Sequence, residues 1–100
     1  MYLSALQRYI LQTTLLAGRN KVARQVFYRF YQQQASPPVL ALQINAITKS
    51  LERLIAKKLI IGFGEVTACK WFIREIQLTA AGKKVTKQLF GQQIILPLKR

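Results

Sequence analysis

The most informative pattern in this chain lies in residues 39–65, which read VLALQINAITKSLERLIAKKLIIGFGE. Over residues 39–57, apolar side chains recur at the three- and four-residue spacing of a helix with one apolar stripe. This stripe consists of Leu40, Ile44, Ile47, Leu51, Leu54 and Ile55. From residue 59 onward β-branched and aromatic residues dominate, as they do in strands. The pattern therefore predicts a helix that leads directly into a β-strand.

A second strand is predicted over residues 70–78, which read KWFIREIQL. Only residues 66–69 separate the two strand-like segments, and so short a connection favours an antiparallel hairpin. Gly62 and Gly64 interrupt the first segment, which predicts a bulge or a local twist in that strand.

Further helices are predicted on both sides of this unit. One covers residues 2–17, and a second covers residues 21–33 with Asn20 as its N-cap. The last helix begins after Thr79, which is also a suitable N-cap, and ends at Gly91.

The charge of the chain is strongly one-sided. There are 16 Lys and Arg residues against three carboxylates, which gives a formal net charge of +13 at pH 7. Such an excess destabilises a compact fold by self-repulsion unless a polyanion neutralises it. Nucleic acid is the commonest partner of this kind, and an anionic membrane is the second.

The residue inventory argues against catalysis and metal binding. The sequence has no His and no Asp, and it has no phosphate-binding loop of the P-loop kind. The single Cys69 cannot form an intramolecular disulfide or, without His, a zinc site. No apolar run approaches the roughly 18 to 20 residues of a membrane span. We therefore expect a cytoplasmic, nucleoid-associated protein that is not an enzyme, needs no cofactor and has no signal peptide.

Two segments carry a resemblance to known regulators. Residues 47–60, ITKSLERLIAKKLI, resemble the end of the recognition helix and the first wing strand of the MarR-like and PadR-like transcriptional regulators. Residues 76–82, IQLTAAG, resemble the second wing strand and the start of the next helix, where these families carry a Leu-Thr-x-x-Gly pattern. The resemblance implies a winged helix-turn-helix domain, mainly α with a small antiparallel β-hairpin, in the order α-α-α-β-β-α.

This resemblance implies a role for each part of a single domain over residues 1–100. The parts are an N-terminal helix (1–18), a helix-turn-helix (20–58), a wing hairpin (59–78), a C-terminal helix (79–91) and an apolar, basic tail (92–100). The third helix would lie in the major groove and the wing on the DNA backbone. Regulators of these families are usually two-fold dimers. Because the first helix and the tail carry surplus apolar surface, we expect a homodimer through these two ends.

The sequence departs from the family pattern at two places. Lys58 stands where these regulators usually have a glycine in a left-handed turn, a conformation that costs a residue with a Cβ on the order of 1 kcal/mol. The predicted wing tip, residues 65–69, contains no Arg, whereas MarR-type wings often carry one. The long gap between the second and third helices is more typical of the PadR-like proteins.

Side chains that read bases are expected near the start of the groove-lying helix, because that part approaches the base edges. The candidates are Gln43, Asn45, Thr48 and Lys49. Cationic side chains that displace counterions from the phosphates supply affinity without sequence information. The candidates for this role are Arg24, Arg29, Arg53, Lys57, Lys58, Lys70 and Arg74.

Three functions are compatible with these features. The first is a sequence-specific transcriptional regulator that binds double-stranded DNA, and the second is an architectural or RNA-binding basic protein without base readout. The third is a winged-helix interaction module whose basic face docks on an acidic protein. We favour the first, because the exposed face of the third helix is polar rather than uniformly Lys and Arg. RNA is the less favoured nucleic acid, and no membrane partner is expected.

Overall fold

The computed structural model describes residues 3–68 and 71–98. The helices in these ranges are α1 (Ala5–Leu16), α2 (Arg29–Gln32), α3 (Leu40–Ala56) and α4 (Ala80–Leu98). The strands are β1 (Val22–Ala23), β2 (Ile60–Val66) and β3 (Trp71–Leu78), and a 3₁₀ helix over Arg24–Tyr28 leads into α2. The predicted order of three helices, a hairpin and a final helix is therefore present, with β1 as an additional strand.

The hydrophobic core lies between α1, α3 and one face of the sheet. Its buried side chains form a single cluster to which both α1 and α3 contribute. The large side chains that are fully buried in it are Ile10, Leu11, Phe27, Ile47, Leu51, Leu54, Ile73 and Ile76. Burial of an aliphatic or aromatic side chain of this size contributes about 1.5–3 kcal/mol, so this cluster anchors α3 firmly to the rest of the domain.

The segment predicted as one helix over residues 21–33 contains three shorter elements instead. Val22 pairs antiparallel with Ile76 of β3, and the 3₁₀ helix and α2 follow β1. The 3₁₀ helix begins after Ala23, so the prediction of Asn20 as an N-cap is wrong. The reason is tertiary: the strand partner lies far along the chain, and its hydrogen bonds override the local helical preference.

The sheet has the order β1-β3-β2, and β2 and β3 form the predicted antiparallel hairpin. Phe63 lies opposite Glu75, but the next residue, Gly64, lies opposite Ile73. The shift leaves Arg74 as an extra residue in β3. A bulge is therefore present where the glycines predict one, but the bulged strand is the second strand rather than the first.

The bulge keeps the apolar side of β3 toward the core. Ile73 and Ile76 are both fully buried although they are three positions apart and would lie on opposite faces of a regular strand, because the extra residue resets the alternation of faces. Glycine is required at position 64, next to the bulge at Arg74. A Cβ on Gly64 would lie 1.8 Å from the carbonyl oxygen of Phe72.

α3 ends in a Schellman motif. The amide of Lys58 donates to the carbonyl oxygen of Ile55 (2.8 Å), and the amide of Leu59 donates to that of Leu54 (3.0 Å). Lys58 has a φ of 64°, in the left-handed region. The turn is therefore left-handed, with Lys in the position that usually holds glycine in the regulators that this segment resembles.

The two segments that carry the family resemblance contact each other at this turn. The Thr79 hydroxyl lies 2.8 Å from the carbonyl oxygen of Lys58 and 3.0 Å from that of Leu59. It also accepts a hydrogen bond from the amide of Gly82 (2.9 Å), which confirms Thr79 as the N-cap of α4. A Cβ on Gly82 would lie 2.0 Å from the carbonyl oxygen of Leu59. The Leu-Thr-x-x-Gly pattern thus holds the start of α4 against the end of α3.

α4 does not end at Gly91 as predicted but continues to Leu98. The division between a C-terminal helix over residues 79–91 and a tail over residues 92–100 therefore does not match the secondary structure. The physical reason is that a single glycine costs a helix only about 1 kcal/mol, which is too little to end it when helix-compatible residues follow.

Candidate nucleic-acid interface

α3 exposes one line of side chains to solvent over most of its length. Leu42, Asn45, Lys49 and Arg53 are all exposed, and their spacing of three or four residues places them on one side of the helix. We call these four residues the outer face of α3. From Ile47 onward the opposite side of the helix is buried in the core, which holds this part of α3 against the domain.

Two of the four candidate base-reading residues lie on this outer face, and two lie at its edges. Asn45 and Lys49 are exposed on it. The Nε2 of Gln43 donates to the carbonyl oxygen of Pro38 (2.7 Å), just ahead of the helix. The hydroxyl of Thr48 accepts a hydrogen bond from Arg24 (2.8 Å). Gln43 and Thr48 are half-buried, and each therefore already makes one hydrogen bond within the fold.

Arg24, a candidate phosphate contact, joins three elements through its guanidinium. It donates to Thr48 Oγ1 and to the carbonyl oxygen of Ile44 (3.4 Å), both on α3. It also donates to the carbonyl oxygen of Ile73 on β3 (3.3 Å) and lies 3.5 Å from the Tyr28 hydroxyl. These contacts fix α3 relative to the hairpin. Sequence reasoning missed this role, because the acceptors come from distant parts of the chain.

The first turns of α3 extend beyond the core. Leu40 and Ile44, which continue the apolar stripe of α3, are 63% and 41% exposed rather than buried. Both line a cleft of about 530 Å³ between α3, the 3₁₀ helix and β3. The remaining residues that line this cleft are Ala23, Arg24, Gln25, Tyr28, Arg74 and Glu75. The apolar stripe of α3 is therefore buried in the core only from Ile47 onward.

Leu42 is the residue of the outer face that sequence reasoning missed. It is 58% exposed. Its position seven residues before Lys49 places it on the same side as that cation, since seven residues make about two helical turns. This alignment, rather than hydrophobicity, is the signal that could have identified it.

The other candidate phosphate contacts among the described residues are exposed. Arg29 is exposed on α2, and Lys57 and Lys58 are exposed where α3 ends. Arg74 forms an ion pair with Glu65 across the hairpin at 2.9 Å. Because both side chains are about two-thirds exposed (67% and 68%), this pair contributes little to stability and leaves Arg74 accessible. The predicted contact Lys70 lies outside the described residues.

No group of three or more His, Cys, Asp or Glu side chains in residues 3–68 and 71–98 is arranged to hold a metal ion. No helix in the same ranges is long and apolar enough to cross a membrane.

No family model and no curated protein matches this chain, but solved structures do. The transcriptional regulator BldR from Sulfolobus solfataricus is similar with a TM-score of 0.63 and 19% identity, over 98% of this chain and 62% of the BldR chain. A ZitR mutant from Lactococcus lactis gives a TM-score of 0.62 and 17% identity, over 99% of this chain and 58% of ZitR. A MarR mutant from E. coli in complex with operator DNA gives a TM-score of 0.55 and 18% identity, over 96% of this chain and 61% of MarR.

This chain therefore spans about three-fifths of the length of these MarR-family regulators. At identities below one in five, the likeness concerns the fold. The elements it covers include the helix-turn-helix, the hairpin and the flanking helices, since nearly all of this chain is matched. The chain has the winged helix-turn-helix fold of the MarR-family transcriptional regulators.

Proposed function

We propose that this protein binds double-stranded DNA as a transcriptional regulator, with α3 in the major groove. The observation that carries the proposal is the outer face of α3, where Asn45, Lys49 and Arg53 are exposed in line on a rigid helix. The major groove of B-DNA admits an α-helix, and the first turns of a recognition helix contact base edges. Duplex binding by this fold is supported by the E. coli MarR mutant, whose structure contains operator DNA.

The net charge of +13 supplies the sequence-independent part of the affinity. Arg53, Lys57 and Lys58 lie along and beyond the second half of α3, where they can reach the phosphates that flank the groove. Arg29 on α2 and Arg74 on the wing extend the contact to neighbouring backbone. Arg24 acts chiefly by holding α3 and the wing together.

Base readout rests first on Asn45 and Lys49. An Asn side chain can pair bidentately with adenine, and a Lys ammonium can donate to the guanine acceptors. The Oε1 of Gln43 can still accept a hydrogen bond, and the hydroxyl of Thr48 can still donate one. Both residues therefore remain candidates at the edges of the outer face. We infer a sequence-specific regulator from the mixed polarity of this face.

The proposal includes assembly and location. We infer a homodimer through α1 and the end of α4, since two-fold regulators place two recognition helices on half-sites about one turn of DNA apart. We place the protein at the nucleoid in the cytoplasm, where duplex DNA is available. It acts by binding and not as an enzyme.

The charge excess favours a second candidate function, that of an architectural or RNA-binding protein without base readout. A chain this cationic binds polyanions by counterion release whatever their sequence. The two functions differ in whether unrelated duplexes compete equally with a preferred one.

Competition binding separates these functions. A labelled duplex selected from a random pool of about 30 base pairs is titrated with protein at about 0.1 M salt, and unselected duplex, single-stranded DNA and a structured RNA are the competitors. We expect the selected duplex to be preferred, and Asn45→Ala to reduce that preference about tenfold while unselected duplex still binds. The control is Lys84→Ala, which replaces an exposed side chain on α4.

Three results would contradict the proposal. Equal competition by all duplexes would favour the architectural function, and stronger competition by RNA would favour RNA binding. Absence of duplex binding at this salt concentration would indicate an acidic protein as the partner.

A further inference from the structure

Leu42 places an exposed apolar side chain at the start of the outer face of α3, whose other three residues are polar or cationic. It lies three residues before Asn45 and seven before Lys49 on the outer face of α3. At 58% exposure it contributes little to the core, and it does not line the cleft beside the wing. A partner that covers Asn45 and Lys49 must therefore also cover Leu42.

The distribution of charge along α3 indicates which part of the partner Leu42 would meet. From Leu40 to Thr48 the helix carries no ionisable side chain, and Lys49, Glu52, Arg53 and Lys57 follow. In B-DNA the neutral base edges form the floor of the major groove, and the phosphates form its rims. A neutral first half and a charged second half fit a helix whose first turns lie deepest in the groove. Leu42 would then face base edges rather than phosphates.

Only one group on these base edges is apolar, namely the C5-methyl group of thymine. The Cα of Asn45, whose amide suits adenine, lies about 4.5 Å further along the helix axis than the Cα of Leu42, which is of the same order as the roughly 3.4 Å between successive bases. We propose that Leu42 contacts the methyl group of a thymine next to the adenine that Asn45 pairs with. Leu42 is then a specificity-determining residue that favours A·T base pairs. This inference rests on the proposed function.

Replacing thymine by deoxyuridine tests this contact, because the substitution removes only the C5-methyl group. The selected duplex is synthesised with deoxyuridine at each thymine in turn. We expect the unmodified protein to bind about fourfold more weakly at one or two positions, which corresponds to one buried methyl group. The Leu42→Ala variant is expected to bind the thymine and deoxyuridine duplexes equally at those positions.

Lys49→Ala is the matched control on the same face. Because Lys49 is proposed to contact a different base, its loss should weaken binding to every duplex of this series by the same factor and keep the fourfold difference between thymine and deoxyuridine. Circular dichroism of each variant verifies that the overall helix content is unchanged.

The outcomes separate this inference from the proposed function. Equal binding of thymine and deoxyuridine duplexes by the unmodified protein overturns the inference and leaves duplex binding standing. A thymine preference that survives Leu42→Ala also overturns it, because another side chain then contacts the methyl group. Absence of binding to any duplex overturns both.

Discussion

Lys58 occupies the left-handed position of the Schellman motif that joins α3 to β2, with a φ of 64°. Glycine would avoid the close approach between Cβ and the neighbouring carbonyl oxygen. We therefore expect Lys58→Gly to raise the free energy of unfolding by about 0.5–1 kcal/mol, measured by urea denaturation. Lys58→Ala is the control, since it removes the charge but keeps the Cβ. Equal stabilisation by the two variants would mean that charge repulsion, not backbone conformation, is relieved.

Arg24 differs from the other cations because its guanidinium donates to groups on both α3 and β3. Arg24→Met removes these donors while it keeps most of the side-chain volume. We expect the free energy of unfolding to fall by about 1–3 kcal/mol, because partly buried acceptors such as Thr48 lose their partner. Arg29→Met, which replaces an exposed side chain on α2, should alter the free energy of unfolding by less than about 0.5 kcal/mol. Similar losses in both variants would show that Arg24 has no special structural role.

At the level of whole elements, Gly82 decides how closely α4 approaches the end of α3. Helix propensity alone predicts that Gly82→Ala stabilises α4 by about 1 kcal/mol. The structure predicts the opposite sign, because the new Cβ would lie 2.0 Å from the carbonyl oxygen of Leu59. We expect the free energy of unfolding, measured by thermal denaturation, to fall by about 1–3 kcal/mol. Lys84→Ala is the control for an alanine in the same helix, and a stabilised Gly82→Ala variant would contradict the packing described above.

The elements also show what a sequence can predict and what it cannot. α3, the hairpin and the Thr79 cap follow from patterns within a few residues, because periodicity and capping are local. β1 does not, since two residues form a strand only when β3 lies beside them. The continuation of α4 through Gly91 is likewise not predicted, because the cost of one glycine has to be weighed against the helix propensity of the residues that follow it.

The candidate interface divides in the same way. The exposure of Asn45, Lys49 and Arg53 follows from the helical period, once the buried side of α3 is known. The internal hydrogen bonds of Gln43, Thr48 and Arg24 depend on tertiary neighbours, so the sequence alone gives no sign of them.

For the molecule as a whole, the proposed homodimer predicts a mass twice that of the chain. Leu16 at the end of α1 is 79% exposed and Leu89, midway along α4, is 43% exposed, so each of the two helices that contribute to the proposed interface carries an exposed apolar side chain. We expect light scattering at tens of micromolar to give the dimer mass, and the double variant Leu16→Glu and Leu89→Glu to give the monomer mass. Leu42→Ala should stay dimeric. A monomer mass for the unmodified protein would contradict the proposed dimer.

The central claim is that the outer face of α3 binds duplex DNA. Its most direct test is fluorescence anisotropy of a random duplex of about 30 base pairs, titrated with protein over a range of salt concentrations. We predict that the logarithm of the binding constant falls steeply and linearly with the logarithm of the salt concentration. Replacing Arg53 and Lys58, two of the proposed phosphate contacts, together by Ala should reduce that slope by about 1.8. An unchanged slope in the double variant, or no duplex binding at about 0.1 M salt, would contradict the claim.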